Sequence, residues 1–405
     1  MESEVFRMKK VRLLLSGAAG YGEYYLQLLA KHVDRARFVL CGIVDPFVTA
    51  ETVGLSWVRE EKVPFYRTME EFYAENAADL AILSCPIQFH KEQALCAMAH
   101  GSHVLCEKPL TAGMADVKAL EEAAARYGKM LAVGFQWSFC SPILSLKRDI
   151  LAGRFGRPLA LKTLISWQRF DSYYRQSGWK GRIYDAAGRL VQDSVATNAT
   201  AHYLHNLFFV MGESLPEAAM PQSVRYGAYR AKEIESFDTC FAAGKFANGA
   251  DFLYIATHSG DRNIDPVFRY EFENASVETG GEGYNSHIIA RCKDGTEIDY
   301  GQPQSDESCA QKITAMLDYI DGRGEVTCLP STVKPHLAVC TGFFLAAPIR
   351  DFPPEWTFRT QDPPGTFVRG LADDCLLCYE KGLLPYEAGL GWAQPETEFD
   401  PAKYL

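Results

Sequence analysis

The sequence has no long apolar run, no basic block and no second pair of closely spaced cysteines. The apolar stretch nearest the start, Val11 to Leu15, is interrupted by Arg12. It falls far short of the roughly 20 residues that span a bilayer, and it is too short for an export signal. The opening residues MESEVFRMKK carry acids where a signal peptide is basic, so a cytoplasmic protein with no membrane contact is expected. Met8, followed by two lysines, is an alternative start that would leave a short disordered leader. Net charge is −10 and no cationic run exceeds a few residues, which argues against nucleic acid and anionic lipid as partners. The 12 cysteines are scattered singly, mostly inside apolar runs, as at Cys41, Cys85, Cys96 and Cys106. Such cysteines are reduced core residues in a cytosolic protein. The one C-x-x-C, Cys375 and Cys378, lies in a helical pattern, ADDCLLCYEKG. A structural zinc needs four ligands, so no metal is expected there. Repeats, low-complexity segments and flexible linkers are also missing.

What is present is a globular composition, 47% hydrophobic and 23% charged, in 405 residues. That length favours two domains. Residues 11–135 alternate short apolar runs with helical patterns, as βαβ units on a parallel sheet do. Strands are expected at Val11–Ser16, Phe38–Val44, Leu80–Ser84, His103–Cys106 and Met130–Phe135, with helices at Gly20–His32, Glu70–Glu75, His90–His100 and Met114–Tyr127. Past residue 150 the period shortens towards two, with turn signals Ala247-Asn248-Gly249 and Lys293-Asp294-Gly295. Helices are expected again at Asn198–Met211, Glu307–Ile320 and Thr332–Ala347, and near 367–381. The fold class is therefore α/β. An N-terminal doubly wound parallel sheet of Rossmann type (9–136) precedes an α+β domain with a large, mostly antiparallel open sheet (137–350). A C-terminal extension, 351–405, packs on the core.

The first expected strand runs into Gly17-Ala18-Ala19-Gly20-Tyr21-Gly22 and then a helix, the context a dinucleotide fingerprint requires. Gly17 makes the turn, Gly22 lets helix pack on strand, and the first helical amides can hold a pyrophosphate. Ala19 occupies the middle glycine position, with Gly20 beside it. Asp45 ends the second strand, 23 residues after Gly22. A carboxylate there accepts from ribose hydroxyls and repels a 2′-phosphate, so NAD is favoured over NADP. The competing reading is an ordinary Asp-Pro turn.

Asp79-Leu-Ala-Ile-Leu-Ser-Cys-Pro86-Ile-Gln-Phe-His90, followed by Gly101-Ser-His-Val-Leu-Cys106-Glu107-Lys108-Pro109-Leu110, resembles the glucose–fructose oxidoreductase / inositol dehydrogenase (Gfo/Idh/MocA) family. The resemblance covers roughly residues 9–350. It implies a two-domain NAD(P)-dependent sugar or cyclitol oxidoreductase, with Lys108 catalytic and Glu107 and Pro86 near the nicotinamide. Ser84, Tyr21 and His90 complete the expected cofactor contacts. It also implies a homo-oligomer, a dimer or tetramer, whose subunits pack through the large sheet. The family's second motif, D-x-G-x-H-x-x-D, corresponds here to Asn198-Ala-Thr200-Ala-His202-Tyr-Leu-His205. The histidine is kept and both aspartates are replaced. Asp193, five residues before Asn198, is an alternative carboxylate.

Oxidising an alcohol removes a hydride and a proton, and the protein must take the proton. An imidazole suits that task, and a lysine suits the developing alkoxide. His202 with Lys108 is thus a complete pair. On the helix, Leu204, Leu207, Phe208 and Met211 form the expected buried stripe, with His202, His205, Asn206 and Phe209 on another face. Residues 167–182, WQRFDSYYRQSGWKGR, hold five aromatic and four basic residues. Aromatic faces stack on sugars and cations bind hydroxyls or carboxylates. Arg169, Tyr173, Tyr174, Trp179 and Lys180, with Asp193, Asn198, His202 and His205, are the candidate substrate contacts. A subunit interface has the same composition. Three functions remain open: a dehydrogenase acting on a secondary hydroxyl of a sugar, cyclitol or sugar acid; a glycoside-processing enzyme that oxidises transiently and re-reduces; and a non-catalytic NAD or sugar sensor.

Overall fold

The computed structural model describes residues 9–280 and 286–405. The short leader expected over residues 1–8 lies outside them. In chain order the first elements are β1 (Val11–Ser16), α1 (Tyr21–Lys31), β2 (Phe38–Val44), α2 (Ser56–Glu60), β3 (Phe65–Tyr66), α3 (Met69–Glu75), β4 (Leu80–Leu83), α4 (His90–Ala99), β5 (His103–Cys106), α5 (Met114–Tyr127) and β6 (Leu131–Val133). There follow α6 (Ser141–Leu151), β7 (Pro158–Ser166), α7 (Asp171–Arg175), α8 (Ala201–Phe209), β8 (Ser223–Arg230), β9 (Thr239–Lys245), β10 (Asp251–Thr257), β11 (Ile264–Phe272), β12 (Ala275–Gly280), β13 (His287–Cys292) and β14 (Glu297–Gly301). The chain ends with α9 (Asp306–Ile320), α10 (Pro330–Leu345), β15 (Arg350–Asp351), β16 (Thr357–Gln361), β17 (Pro364–Val368), α11 (Leu371–Lys381) and β18 (Thr397–Phe399).

Two units emerge. The first comprises residues up to Thr111, Ala115–Phe139 and Asp306–Pro330; the second comprises Ala112–Met114, Cys140–Ser305 and Ser331–Leu405. Chain order alone grouped α9 with 137–350, but it belongs to the first unit because it packs on α1. Tyr24 donates to Asp306 (2.7 Å), and Arg37 pairs with Asp318 and Asp321 (both 2.8 Å).

The first unit is a six-stranded sheet in the order β3-β2-β1-β4-β5-β6, parallel throughout. Parallel strands covered on both faces read as continuous apolar runs, and Leu13, Leu14 and Leu15 accordingly have no exposed surface. Each contributes about 1.5–3 kcal/mol relative to an exposed side chain. The strand order reverses between β1 and β4, and ligands of doubly wound sheets bind at the carboxyl ends of the strands there.

The second unit carries a ten-stranded sheet, β14-β13-β12-β11-β7-β10-β9-β8-β15 with β18 also on β8. Pairs β7–β10 and β8–β15 are parallel and the rest antiparallel. One face receives α8: Phe208 meets Phe252, and Asn206 donates to Tyr270 (2.9 Å). The other face is covered by the chain's own C-terminal residues. Leu164, Phe241, Leu253 and Ile255 pack against Phe352, Leu371, Cys375, Cys378 and Trp392. Cys375 and Cys378 are fully buried there. Further out, on β11 to β14, Arg269, Glu278, Arg291 and Glu297 form cross-strand ion pairs in place of an apolar surface.

Candidate functional site

In the first unit the chain leaves β1 through Gly17 at φ +83° and Gly20 at φ +59°. A Cβ on Gly22 would stand 1.9 Å from the Gly17 carbonyl oxygen, and one on Gly17 would stand 2.7 Å from the Ser84 backbone. Both positions therefore require glycine, Gly17 for its left-handed backbone as well as for space. No side chain caps the start of α1, which leaves room for an external anion at its N-terminus. Ala18 and Ala19 stand in the turn. The Ala18 N–H donates to Asp45 Oδ2 (2.8 Å), while Asp45 Oδ1 accepts from the Phe47 and Val48 N–H groups (2.8 and 2.9 Å). Asp45 thus braces the loop, and a carboxylate retains lone pairs beyond these three bonds. Ser84, one residue past β4, has a buried hydroxyl with no hydrogen-bond partner among the described residues. An orphaned donor beside a glycine cradle and an uncapped helix start fits a bound dinucleotide.

His90 begins α4 and is buried. Its Nδ1 lies 3.0 Å from the Pro109 carbonyl and its Nε2 lies 2.9 Å from that of Cys85. The ring clips the loop after β4 to the loop after β5. Burial lowers its pKa, outweighing the flanking carbonyls. Pro86 stands in that first loop, directly before Ile87.

Strand β5 ends at Cys106, and Glu107 and Lys108 follow at the same edge. Glu107 is buried against Gly134, where a Cβ would meet its Oε1 at 2.5 Å. Its Oε2 accepts from the Lys108 N–H (3.1 Å) and its Oε1 from Tyr25 of α1 (2.7 Å). The third donor is Lys312 of α9, fully buried and ion-paired to the same oxygen. The Lys312 ammonium also stands over the rings of Tyr21 and Tyr25 (4.8 and 4.4 Å) and donates to the Tyr21 hydroxyl (3.3 Å). Tyr21 in turn donates to Gln136 (3.0 Å). Burial and the Glu107 charge raise the Tyr25 pKa well above that of a free phenol, so it stays a donor. One polar network therefore joins the first turn of α1 to the Glu107-Lys108 loop. Sequence reasoning missed Lys312. The available signal was its place among Cys309, Ile313 and Met316, on the apolar face of a helix.

In the second unit, β7 and β10 run parallel and end together: the Trp167 N–H donates to Thr257 O (2.9 Å) and the Arg169 N–H to His258 O (3.1 Å). Helix α7 follows with Tyr173 and Tyr174. The Tyr174 hydroxyl bonds His258 Nδ1 (3.0 Å). The Arg169 guanidinium lies over Tyr173 (5.2 Å), as does the Lys180 ammonium (4.3 Å). Asp193 accepts from the Gly181 N–H (2.6 Å) and from Asn198 Nδ2 (2.9 Å). Burial lowers the Lys180 pKa, with Asp193 opposing, and raises that of Tyr174, with Asp238 adding. Burial, then Arg169 and Lys232, holds His258 well below the usual imidazole range. His258 was not singled out in the sequence; nothing in its local pattern marks it. Arg169, Tyr173, Tyr174 and Lys180 are brought together, and Asp193 is bonded to Asn198. Trp179 is half-buried in the same turn.

Helix α8 differs from its expected stripe. Every residue from Tyr203 to Phe209 is buried, and His202 in the first turn is only partly so. A helix lodged between a sheet and other helices is apolar all round. His205 lies in the interior, stacked on Phe209 (5.7 Å) and edge-on to His336 (6.2 Å). Burial and the His336 and Lys147 charges push its pKa well down. Asn198 does not cap α8, whose N-cap is Thr200.

Residues 11–135 match the family model described as "Oxidoreductase family, NAD-binding Rossmann fold". The chain is 28% identical over 180 residues to a 1,5-anhydro-D-fructose reductase of Ensifer adhaerens, covering 44% of this chain and 51% of that protein. It is 26% identical over 215 residues to an inositol 2-dehydrogenase of Burkholderia cenocepacia, covering 52% and 58%. The matches thus span about half the length of these curated relatives. Among solved structures, the WlbA dehydrogenase from Bordetella pertussis, in complex with NADH and UDP-GlcNAcA, superposes with TM-score 0.68 at 22% identity, over 83% of this chain and 96% of that one. An oxidoreductase from Agrobacterium radiobacter, in complex with NAD+, L-tartaric acid and magnesium, gives 0.67 at 14%, over 82% and 95%. These structural likenesses carry the fold across both units. With the glycine turn and the Glu107-Lys108 strand end, residues 11–135 are similar to the NAD-binding Rossmann fold of the GFO_IDH_MocA oxidoreductase family.

Proposed function

We propose that the protein is an NAD-dependent dehydrogenase that oxidises a secondary hydroxyl of a sugar, cyclitol or sugar acid. The observation that carries this reading is Lys108 at the carboxyl end of β5, with Glu107 held by Tyr25 and Lys312 behind it. When bound, NAD supplies the acceptor for the hydride. Gly17, Ala19, Gly20, Tyr21 and Gly22 would hold its pyrophosphate, and Ser84, Pro86 and Glu107 would stand towards the nicotinamide. Lys108 places positive charge where the substrate oxygen becomes alkoxide. His202 accepts the proton; it is the least buried residue of its helix and needs no carboxylate at position 198. Asp193 is kept from that role by its bonds to Gly181 and Asn198. Arg169, Tyr173, Tyr174 and Lys180 bind the substrate's remaining hydroxyls. The Asp45 carboxylate supports NAD over NADP, because a 2′-phosphate beside it is repelled.

The test is turnover of purified protein with NAD against a panel of sugars, cyclitols and sugar acids. Reduced nicotinamide accumulates in step with substrate loss on this reading. Glycoside turnover with retained, unreduced NAD would instead identify the redox-neutral chemistry, and binding with no turnover across the panel would identify a sensor.

A further inference from the structure

The second unit contains a cavity of about 600 Å³ between α7, the turn at 180–182 and the loop joining β8 to β9. That volume suits a small molecule. Five cations line it, Arg175, Lys180, Arg182, Arg230 and Lys232, against three carboxylates, Asp171, Glu233 and Glu235. The imbalance is local, since the whole chain carries −10. Ion pairs engage part of this set on both sides: Arg175 with Asp171 (3.5 Å), Arg182 with Glu235 (3.2 Å) and Arg230 with Asp351 of β15 (2.7 Å). Asp171 also accepts from Arg359 of β16 (2.6 Å), and Glu235 from the Ile183 N–H (3.1 Å).

Lys232 is the unusual member. It is buried, yet its ammonium donates to the Thr366 carbonyl (2.7 Å) and stands over the Phe367 ring (4.2 Å), neither of which carries charge. An ammonium has three N–H donors, and burying one costs several kcal/mol unless charge and hydrogen bonds compensate it. Asp238 and Asp171 attract the Lys232 ammonium through space, but Asp238 spends its hydrogen bonds on the Ala231 and Lys232 backbone N–H groups and the Thr239 hydroxyl. Burial pulls the Lys232 pKa down to about 8, which still leaves it mostly cationic at neutral pH. Thr366 and Phe367 belong to the β16–β17 hairpin, so the C-terminal extension supplies part of the setting of this lysine.

We propose that this cavity binds a small anionic molecule through a carboxylate or phosphate group, on Lys232 with Arg175 and Arg182 around it. The anion supplies a directly bonded charged acceptor, and the guanidinium forks give bidentate recognition. Extending the proposal to the substrate, as a sugar acid or sugar phosphate, rests on the dehydrogenase reading; the binding itself does not.

The experiment is calorimetric titration of the full chain, without NAD, using inorganic phosphate and glucuronate, with glucose as the neutral control. At least one anion is expected to bind and glucose is not. Lys232→Met is expected to weaken binding by about tenfold or more, the worth of one charge-assisted hydrogen bond. Arg175→Gln, at an exposed position, is expected to weaken it less and to flatten its salt dependence. Phosphate alone selects a phosphorylated ligand and glucuronate alone selects a sugar acid; either outcome supports the site. Wild type that binds neither anion, or glucose binding as well as the anions, overturns it. Lys232→Met and Arg175→Gln both binding like wild type also overturn it. Should Lys232→Met fail to fold, Arg175→Gln and Arg182→Gln decide by the same criterion. Because NAD is left out, a negative result here leaves hydride transfer standing, and absence of turnover leaves this site standing.

Discussion

Replacing Lys312 by methionine removes one cation from the interior of the first unit and leaves Glu107 behind. The methionine nearly matches the lysine stem, so the cavity term is small. The electrostatic term is not. Lys312 is fully buried and the Glu107 side chain is only 7% exposed, so water does not replace the lost partner. Breaking a buried pair from one side costs about 3–5 kcal/mol. Tyr25 and the Lys108 N–H still donate to the carboxylate, which puts the expected loss near the lower end. Losing the ammonium over two tyrosine rings adds to it. The assay is urea unfolding, read on the transition that added NAD shifts, since only a unit that binds NAD is stabilised by it. Adding Glu107→Gln to Lys312→Met is expected to restore part of the stability, giving a coupling of about 1 kcal/mol or more. A single mutant within about 0.5 kcal/mol of wild type, or a double mutant that is simply additive, would refute the idea that this pair is coupled inside the fold.

Stability is also expected to fall in mild acid. His90, His205 and His258 are buried with pKa values below the usual 6.5. The unfolded chain therefore binds more protons than the folded one. Stability is full above about pH 6.5 and then declines by about 1.4 kcal/mol per pH unit for each histidine still neutral, until its folded pKa is reached. Urea midpoints from pH 7.5 downwards check this, and a flat profile between about pH 6.5 and 5 would contradict it. Trp392→Ala is expected to cost about 3–5 kcal/mol. It removes a buried ring packed on Tyr229 (5.1 Å) and Phe352 (5.0 Å) and leaves Asp374 without its indole donor (2.7 Å). Thermal unfolding of the second unit reads the loss, and an unchanged transition would mean that the C-terminal extension is not part of the core. Asp45→Ala is expected to weaken NAD by about tenfold while weakening NADP less, from loss of a charged acceptor and of a repulsion. Equal effects on the two cofactors would assign Asp45 to loop bracing alone.

The parallel sheet was legible because its strands are buried on both faces and their apolar runs are punctuated by glycine, Asp45 and Pro109. The glycine turn was legible because Gly22 is dictated by its contact with Gly17, five residues away, and Gly17 by a left-handed backbone that local sequence records, even though its closest contact is the distant Ser84. The mostly antiparallel sheet of the second unit was legible from its period and turns, although β8, β12 and β14 showed no separate run of their own. Helix α6 was not anticipated, nor were β15 to β18, which are two to five residues long and too short to show a period. Helix α8 misled because burial on all sides erases the contrast between a core stripe and a solvated face. Lys312 and His258 escaped because their partners, Glu107 and Tyr174, lie 205 and 84 residues away in the chain. A buried ion pair is a property of packing, visible locally only as a lysine set into an apolar helical face.

The role proposed for Lys108 is to act on the substrate oxygen rather than to hold the cofactor. The most direct measurement compares wild type and Lys108→Met for NAD affinity, by fluorescence titration, and for the rate of nicotinamide reduction in a single turnover. The account predicts NAD affinity within about threefold and a rate lower by about 10²-fold or more, the scale on which one preorganised electrostatic group acts. A mutant that reduces NAD at the wild-type rate, or one whose rate falls only in proportion to lost NAD binding, would contradict it.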